Sequence, residues 1–161
     1  MNSADRVIAP ERLAAWRQRL RADGRPLVVT NGCFDLLHVG HVAYLEAARA
    51  LGGALLVGVN GDDSVRQLKG PDRPLNSEGD RARVLAALSC VDGVCIFPEK
   101  RATRFLSESQ PDLYVKGGDY TLETMDQDER RAVESGGGRI QFLSFVPGKS
   151  TTGIIERLRN P

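Results

Sequence analysis

Apolar residues gather in five short runs, Leu27 to Thr30, Leu55 to Asn60, Val94 to Phe97, Leu113 to Val115 and Ile140 to Phe145, each of strand length and rich in β-branched or aromatic side chains. Between them the period changes. Val42 to Leu51, Arg81 to Leu88, Thr103 to Glu108 and Glu123 to Glu134 repeat apolar residues every three or four positions and predict helices. Strand and helix in alternation predict an α/β fold with a five-stranded parallel sheet covered on both faces. Ahead of the first strand, Pro10 suits a first helical turn, and Leu13, Trp16 and Leu20 share one stripe up to Ala22. Residues 1–26 are thus expected to pack on the core as an N-terminal helix, with Trp16 in that core. Thr152 to Arg159 predicts a last helix, with Ile154, Ile155 and Leu158 inward.

The chain has 161 residues, no internal repeat, no low-complexity tract and no long linker, so residues 1–161 are expected to form a single domain. Composition narrows the partners. Twenty-two basic residues against twenty-one acidic ones leave no overall field for nucleic acid or an anionic membrane, so any anion site must be local. Met1 to Pro10 lacks a signal-peptide core, and no stretch approaches a span of ~20 apolar residues, which predicts a cytoplasmic protein. Cys33, Cys90 and Cys95 have no zinc-ligand spacing and are expected to be buried thiols in a reducing compartment.

Candidate chemistry follows the first strand, in Asn31-Gly32-Cys33-Phe34-Asp35-Leu36-Leu37-His38-Val39-Gly40-His41. Ligands of open α/β sheets bind at the carboxyl ends of strands. Gly40 permits close approach of a phosphate to the backbone, and the amides at the start of the next helix attract it. His38 and His41 are the two histidines of the chain; three residues apart around a turn, they can donate to one anion. A metal site built from Cys33, Asp35, His38 and His41 is the competing chemistry, but no second ligand cluster follows and no protein-bound metal is expected.

Cations for a phosphate substrate are expected from Lys69 and Arg73, in the loop Lys69 to Ser77, which would swing over the ligand. Arg81 or Arg83 would assist, or lie solvated on a helix face. After the fourth strand, Lys116-Gly117-Gly118-Asp119 offers backbone approach to a base or ribose, and Asp119 an acceptor for a hydroxyl or a contact to Mg²⁺. Asp62 has the same readings, with a helix N-cap the simpler one. Ser150-Thr151-Thr152 would cap the last helix, yet three hydroxyls exceed one cap and, beside Lys149, favour an anion site there.

Gly32-Cys33-Phe34-Asp35 with His38-Val39-Gly40-His41, in strand-to-helix context, resembles the signature of the HxGH nucleotidyltransferase superfamily, the cytidylyltransferase-like group. Ser150-Thr151-Thr152-Gly153-Ile154-Ile155 resembles its second element, whose hydroxyls bind the triphosphate tail. The resemblance implies a Rossmann-like three-layer sandwich. It also implies nucleotide contacts from Asn31, Gly32, Cys33, Phe34, Asp35, Gly40, Lys116, Gly118, Asp119, Ser150, Thr151 and Thr152, with Mg²⁺ carried on ATP. His38, His41 and Lys69 would serve catalysis, and Lys69 and Arg73 would hold the sugar phosphate. Together with Arg73-Pro74-Leu75-Asn76, Val91-Asp92, Pro111-Asp112 and Lys116 to Tyr120, the chain is most similar to heptose 1-phosphate adenylyltransferases, from about Arg6 to Leu158.

That similarity implies transfer of AMP from ATP to D-glycero-β-D-manno-heptose 1-phosphate, giving ADP-heptose and pyrophosphate for the lipopolysaccharide core. Fused relatives carry a sugar kinase ahead of such a domain. With about two dozen residues before the first strand, a stand-alone form is expected, with a separate heptose kinase and phosphatase as pathway neighbours, and homo-oligomers as in related proteins. Two alternatives remain: a cytidylyltransferase for a polyol phosphate such as glycerol 3-phosphate, and a nucleotide-binding module without turnover. The arginine that glycerol 3-phosphate cytidylyltransferases place before their hydroxyl motif is missing from Phe145 to Lys149. The basic stretch Lys100 to Arg104 is left without a role.

Overall fold

A computed structural model describes residues 2–144, 147–148 and 150–159. Five strands, β1 (Leu27–Gly32), β2 (Ala54–Asn60), β3 (Gly93–Phe97), β4 (Leu113–Gly117) and β5 (Arg139–Leu143), form one parallel sheet in the order β3-β2-β1-β4-β5. Alternating side chains on each strand divide between two cores, as the pleat requires. Leu27 and Val29 of β1 and Ala54 and Leu56 of β2 face α1 (Pro10–Ala22), α5 (Thr103–Ser109) and α6 (Gln127–Ser135), through Leu13, Leu20, Phe105 and Val133. Val28, Leu55, Val57 and Val59 face α2 (Val39–Arg49) and α4 (Glu78–Ala86), through Tyr44, Leu45, Ala82 and Leu85. This is the three-layer α/β arrangement expected.

The chain steps from β1 outward to β3 on one side, then returns to lay β4 on the other side of β1. The crevice above the carboxyl ends of β1 and β4 is therefore the topological switch point, where open α/β sheets bind ligands. Opposite, at the amino ends, two carboxylates hold the sheet. Asp112 accepts from the Leu27 amide at 2.6 Å and pairs with Arg17 at 2.8 Å. Asp92 accepts from the Leu55 amide at 2.9 Å and pairs with Arg25 and Arg49 at 2.8 and 2.9 Å. The Val91-Asp92 and Pro111-Asp112 motifs thus serve the fold.

Several boundaries differ from the expected ones. The run Asn31-Gly32 is polar but still pairs with Gly58 and Val59, so β1 extends through it. Helix α2 begins at Val39 with His38 as its N-cap, three residues ahead of expectation, because the glycine that reads as a turn lies inside the first helical turn. A short helix, α3 (Asp62–Lys69), precedes the polar loop; its N-cap is Gly61, so Asp62 is its first residue and not the cap. Helix α4 starts earlier, at Glu78 behind the Ser77 cap, and α6 starts later, at Gln127, because Asp126 accepts from the amides of Asp128 and Glu129. Gly136-Gly137-Gly138 ends α6, with Gly137 at φ 81°. Helix α7 (Thr151–Arg159) includes Thr151; Phe145 and Lys149 lie outside the described residues.

Of the thiols, Cys95 is buried as expected, whereas Cys33 and Cys90 are half-buried.

Candidate active site

The turn from β1 into α2 places both imidazoles together. The His38 and His41 rings stack with centroids 3.9 Å apart and planes inclined by 25°, and Phe34 tilts against His41 at 5.3 Å. Gly40 is buried beneath them, and the first amides of α2 have no acceptor within the helix. Phe34 itself takes a left-handed backbone, φ 49°, an uncommon strain for an aromatic residue that bends the chain sharply out of the strand. Burial, and then the neighbouring His38, push the His41 pKa from 6.5 down to about 4. In the free protein at neutral pH His41 is therefore an uncharged donor.

The sign of that shift makes a testable consequence. Between pH 6.5 and about 4 the unfolded chain binds a proton at this histidine and the folded chain does not, so stability falls as the pH is lowered through this window. Urea midpoints measured across it should fall less steeply for His41→Gln than for the parent protein; parallel curves would contradict the assignment.

The carboxylate of Asp35 is engaged within the protein. The residue is 3% exposed and both its carboxylate oxygens are taken by the loop after α3. Arg73 Nε donates to it at 2.6 Å, the Leu75 amide at 2.9 Å and the Asn76 amide at 3.0 Å, while Asn76 Nδ2 donates to the Asp35 carbonyl at 2.8 Å. Burial raises the pKa of this carboxyl, but the Asn76 amide, the Arg73 guanidinium and the Leu75 amide together outweigh it and hold the group below the usual carboxylate value. Arg73 is consequently anchored and does not swing. Its terminal amino groups meet no acceptor among the described residues. Asp35→Asn should cost about 2 kcal/mol in urea unfolding, since one amide hydrogen-bearing face must meet donors; an unchanged midpoint would refute this role.

Arg81, expected either to assist or to lie solvated, is 2% exposed and fully used. It donates to the carbonyl of Cys33 at 2.6 Å, to the carbonyl of Asn76 at 3.0 Å and to Asp62 at 2.8 Å, joining α4, α3 and the turn. A buried guanidinium of this kind was not legible from a helix-face position. Its signal was the nearby Asp62, which needed a cation. Lys69 is exposed at the end of α3, and it, Arg81 and Arg73 surround Cys33 electrostatically. Burial outweighs those cations and raises the Cys33 pKa, so the thiol is protonated and is not a nucleophile.

The two sequence motifs meet in space. Thr151 Oγ1 donates to the carbonyl of Leu36 at 2.9 Å, docking the start of α7 onto the histidine turn across 115 residues of sequence. Ser150 Oγ accepts from the Gly153 amide at 3.0 Å and is occupied as a cap; Thr152 is exposed. On the β4 side, Gly118 holds φ 111°, a conformation that favours glycine, and its amide donates to the Leu143 carbonyl at 3.0 Å. Asp119 is exposed. Lys116 donates to the buried Glu129 at 2.9 Å, and Asn31 accepts from Tyr114 at 2.6 Å. The basic stretch is neutralised locally: Arg101 pairs with Asp126, and Arg104 with Glu108 and Glu99.

No group of three or more potential metal ligands occurs among the described residues, and none of their helices is long and apolar enough to cross a membrane.

The cytidylyltransferase-like family model matches residues 29–157. Among curated relatives, the bifunctional protein HldE of Geotalea uraniireducens (strain Rf4) is 55% identical over 147 residues, covering 91% of this chain and 30% of that protein. The bifunctional protein HldE of Syntrophotalea carbinolica is 54% identical over 138 residues, covering 86% of this chain and 28% of that protein. The chain thus spans about 30% of the length of these curated relatives. A solved structure, the lipopolysaccharide core biosynthesis protein from Thermoplasma volcanium GSS1, superposes with a TM-score of 0.63 at 27% identity, covering 76% of this chain and 98% of that one. With its family match extending from β1 into α7, the chain belongs to the cytidylyltransferase-like family.

Proposed function

We propose that the chain is a nucleotidyltransferase that moves AMP from ATP to D-glycero-β-D-manno-heptose 1-phosphate, producing ADP-heptose and pyrophosphate for the lipopolysaccharide core. The observation that carries this reading is the docking of the hydroxyl motif on the histidine turn through Thr151 and Leu36, which brings the start of α7 beside the paired imidazoles at the switch point. The acceptor and the base rest on the similarity to the HldE proteins and to the lipopolysaccharide core protein.

In this proposal an oxygen of the sugar phosphate attacks the α-phosphorus in line. The bond to the bridging oxygen breaks, and pyrophosphate leaves with its electron pair. A phosphate nucleophile is already ionised at neutral pH, so no general base is required. The imidazoles of His38 and His41 and the first amides of α2 meet the charge that grows around the α-phosphorus. Lys69 and the free amino groups of Arg73 hold the incoming phosphate, and the start of α7 receives the departing pyrophosphate. Mg²⁺ enters as part of the substrate Mg-ATP. The sugar phosphate would be supplied by a sugar kinase and a phosphatase acting in succession. Association into a homo-oligomer belongs to the same proposal, with exposed Leu75 and Val84 as available apolar surface.

Pyrophosphate release with ATP and a panel of phosphorylated acceptors tests the reading. Turnover is expected with heptose 1-phosphate. Release only with CTP and glycerol 3-phosphate would favour the cytidylyl alternative, and ATP binding without release under any acceptor would leave a nucleotide-binding module.

A further inference from the structure

A chain of hydrogen bonds runs from α6 through β4 to β1 and joins four side chains, Glu129, Lys116, Tyr114 and Asn31, that the mechanism above does not use. Tyr114 lies on β4, fully buried, and its hydroxyl is 2.6 Å from Asn31 Oδ1 on β1 but 3.4 Å from Glu129 Oε2 on α6. A hydroxyl has one proton, and the shorter contact takes it. Burial, reinforced by Glu129, holds the tyrosine pKa far above its ordinary value, so the proton stays on the ring oxygen. That oxygen can then accept from Lys116 Nζ at 3.5 Å, and the same ammonium donates to Glu129 Oε2 at 2.9 Å. Glu129 is 5% exposed, and its other oxygen accepts from the Ala102 amide at 3.0 Å. The carboxylate is divided between two tasks: Oε1 secures the start of α5, and Oε2 orders the polar chain.

The end of that chain is the point of interest. With Oδ1 of Asn31 fixed by Tyr114, the Nδ2 hydrogens must point to the other side of the amide, and among the described residues they meet no acceptor. Asn31 stands at the carboxyl end of β1, next to Gly32 and the histidine turn. We infer that Glu129 is a positioning residue for nucleotide binding, acting through Lys116 and Tyr114 to hold the Asn31 amide with its two donors turned toward an acceptor atom of the bound nucleotide. The inference rests on the proposed nucleotide site and adds to it a buried support that neither motif contains.

Two substitutions separate this role from a packing role. Tyr114→Phe removes the hydroxyl alone. Glu129→Gln keeps an oxygen for the Ala102 amide and loses the charge that holds Lys116. Affinity for Mg-ATP is measured by calorimetry, and melting temperature alongside it, in the parent and in an Asn31→Ala background. In the parent each substitution is expected to weaken ATP binding about three- to tenfold, the scale of one ordered hydrogen bond. In the Asn31→Ala background neither should weaken it further, although both should still lower the melting temperature. Unchanged ATP affinity in a folded Glu129→Gln or Tyr114→Phe protein overturns the inference, as does a loss that persists in full without Asn31. Should Glu129→Gln fail to fold, Tyr114→Phe in the two backgrounds decides alone. Failure of the parent protein to bind ATP at all would instead refute the proposed function, and the inference with it.

Discussion

Replacing His41 or His38 with alanine is expected to lower turnover by a factor on the order of 10² or more while leaving a folded protein. The size follows from where the rings stand. They stack at 3.9 Å at the start of α2, whose first amides have no acceptor one turn earlier, so in the proposed mechanism the rings and the helix start would meet the same anion. Donors aimed at charge that develops in the transition state act mainly on turnover, so kcat should fall more than the KM for ATP rises. Because His41 is neutral in the free protein, with its pKa pushed to about 4, His41→Asn should retain more activity than His41→Ala, an order that a role requiring the cation would not give. Steady-state pyrophosphate release and a thermal melt of each variant check both points. Normal turnover in a folded alanine variant would remove that histidine from the mechanism.

Arg81→Met is expected to produce the largest loss of stability, about 3–5 kcal/mol, which is a large share of the ~5–15 kcal/mol that holds a domain folded. The side chain is 2% exposed, and truncation strands the Cys33 and Asn76 carbonyls and leaves Asp62 without its cation. Most of the cost comes from the two carbonyls left without a donor beside a buried side chain, since Asp62, 29% exposed, regains water in part. Since Cys33 begins the histidine turn, the same substitution should reduce activity in whatever fraction remains folded. Arg81→Lys should recover only part of both, as one ammonium cannot span three acceptors on three elements. Urea unfolding of the two variants tests this, and a shift below about 1 kcal/mol for Arg81→Met would contradict the geometry.

The strands were legible because Leu55 to Asn60 and Val94 to Phe97 are continuous apolar runs, and a parallel sheet buried on both faces requires such runs. That the histidine turn and the hydroxyl motif belong together was legible too, from the resemblance that pairs them, and Thr151 does bond to Leu36. What escaped reading depended on tertiary partners. Helix α3 buries only Ser64 and Val65, too little to show a period. The start of α2 was hidden because Gly40, read as a turn, is helical. Asp35 was assigned to the nucleotide by its place in the motif, whereas its partners come from a loop 38 to 41 residues away. Glu129 lies on a helix that reads as mostly charged, and nothing in its local sequence reveals that it is buried against Lys116 and Tyr114.

The most direct test of the proposed activity is a competition. The protein is given heptose 1-phosphate with equal concentrations of Mg-ATP and Mg-CTP, and the nucleotide sugars formed are identified by mass spectrometry against the pyrophosphate released. ADP-heptose is expected as the dominant product, with one pyrophosphate for each molecule formed and loss of both in His38→Ala and His41→Ala. Predominant CDP-sugar, or ADP-heptose formed undiminished by the histidine variants, would contradict this expectation.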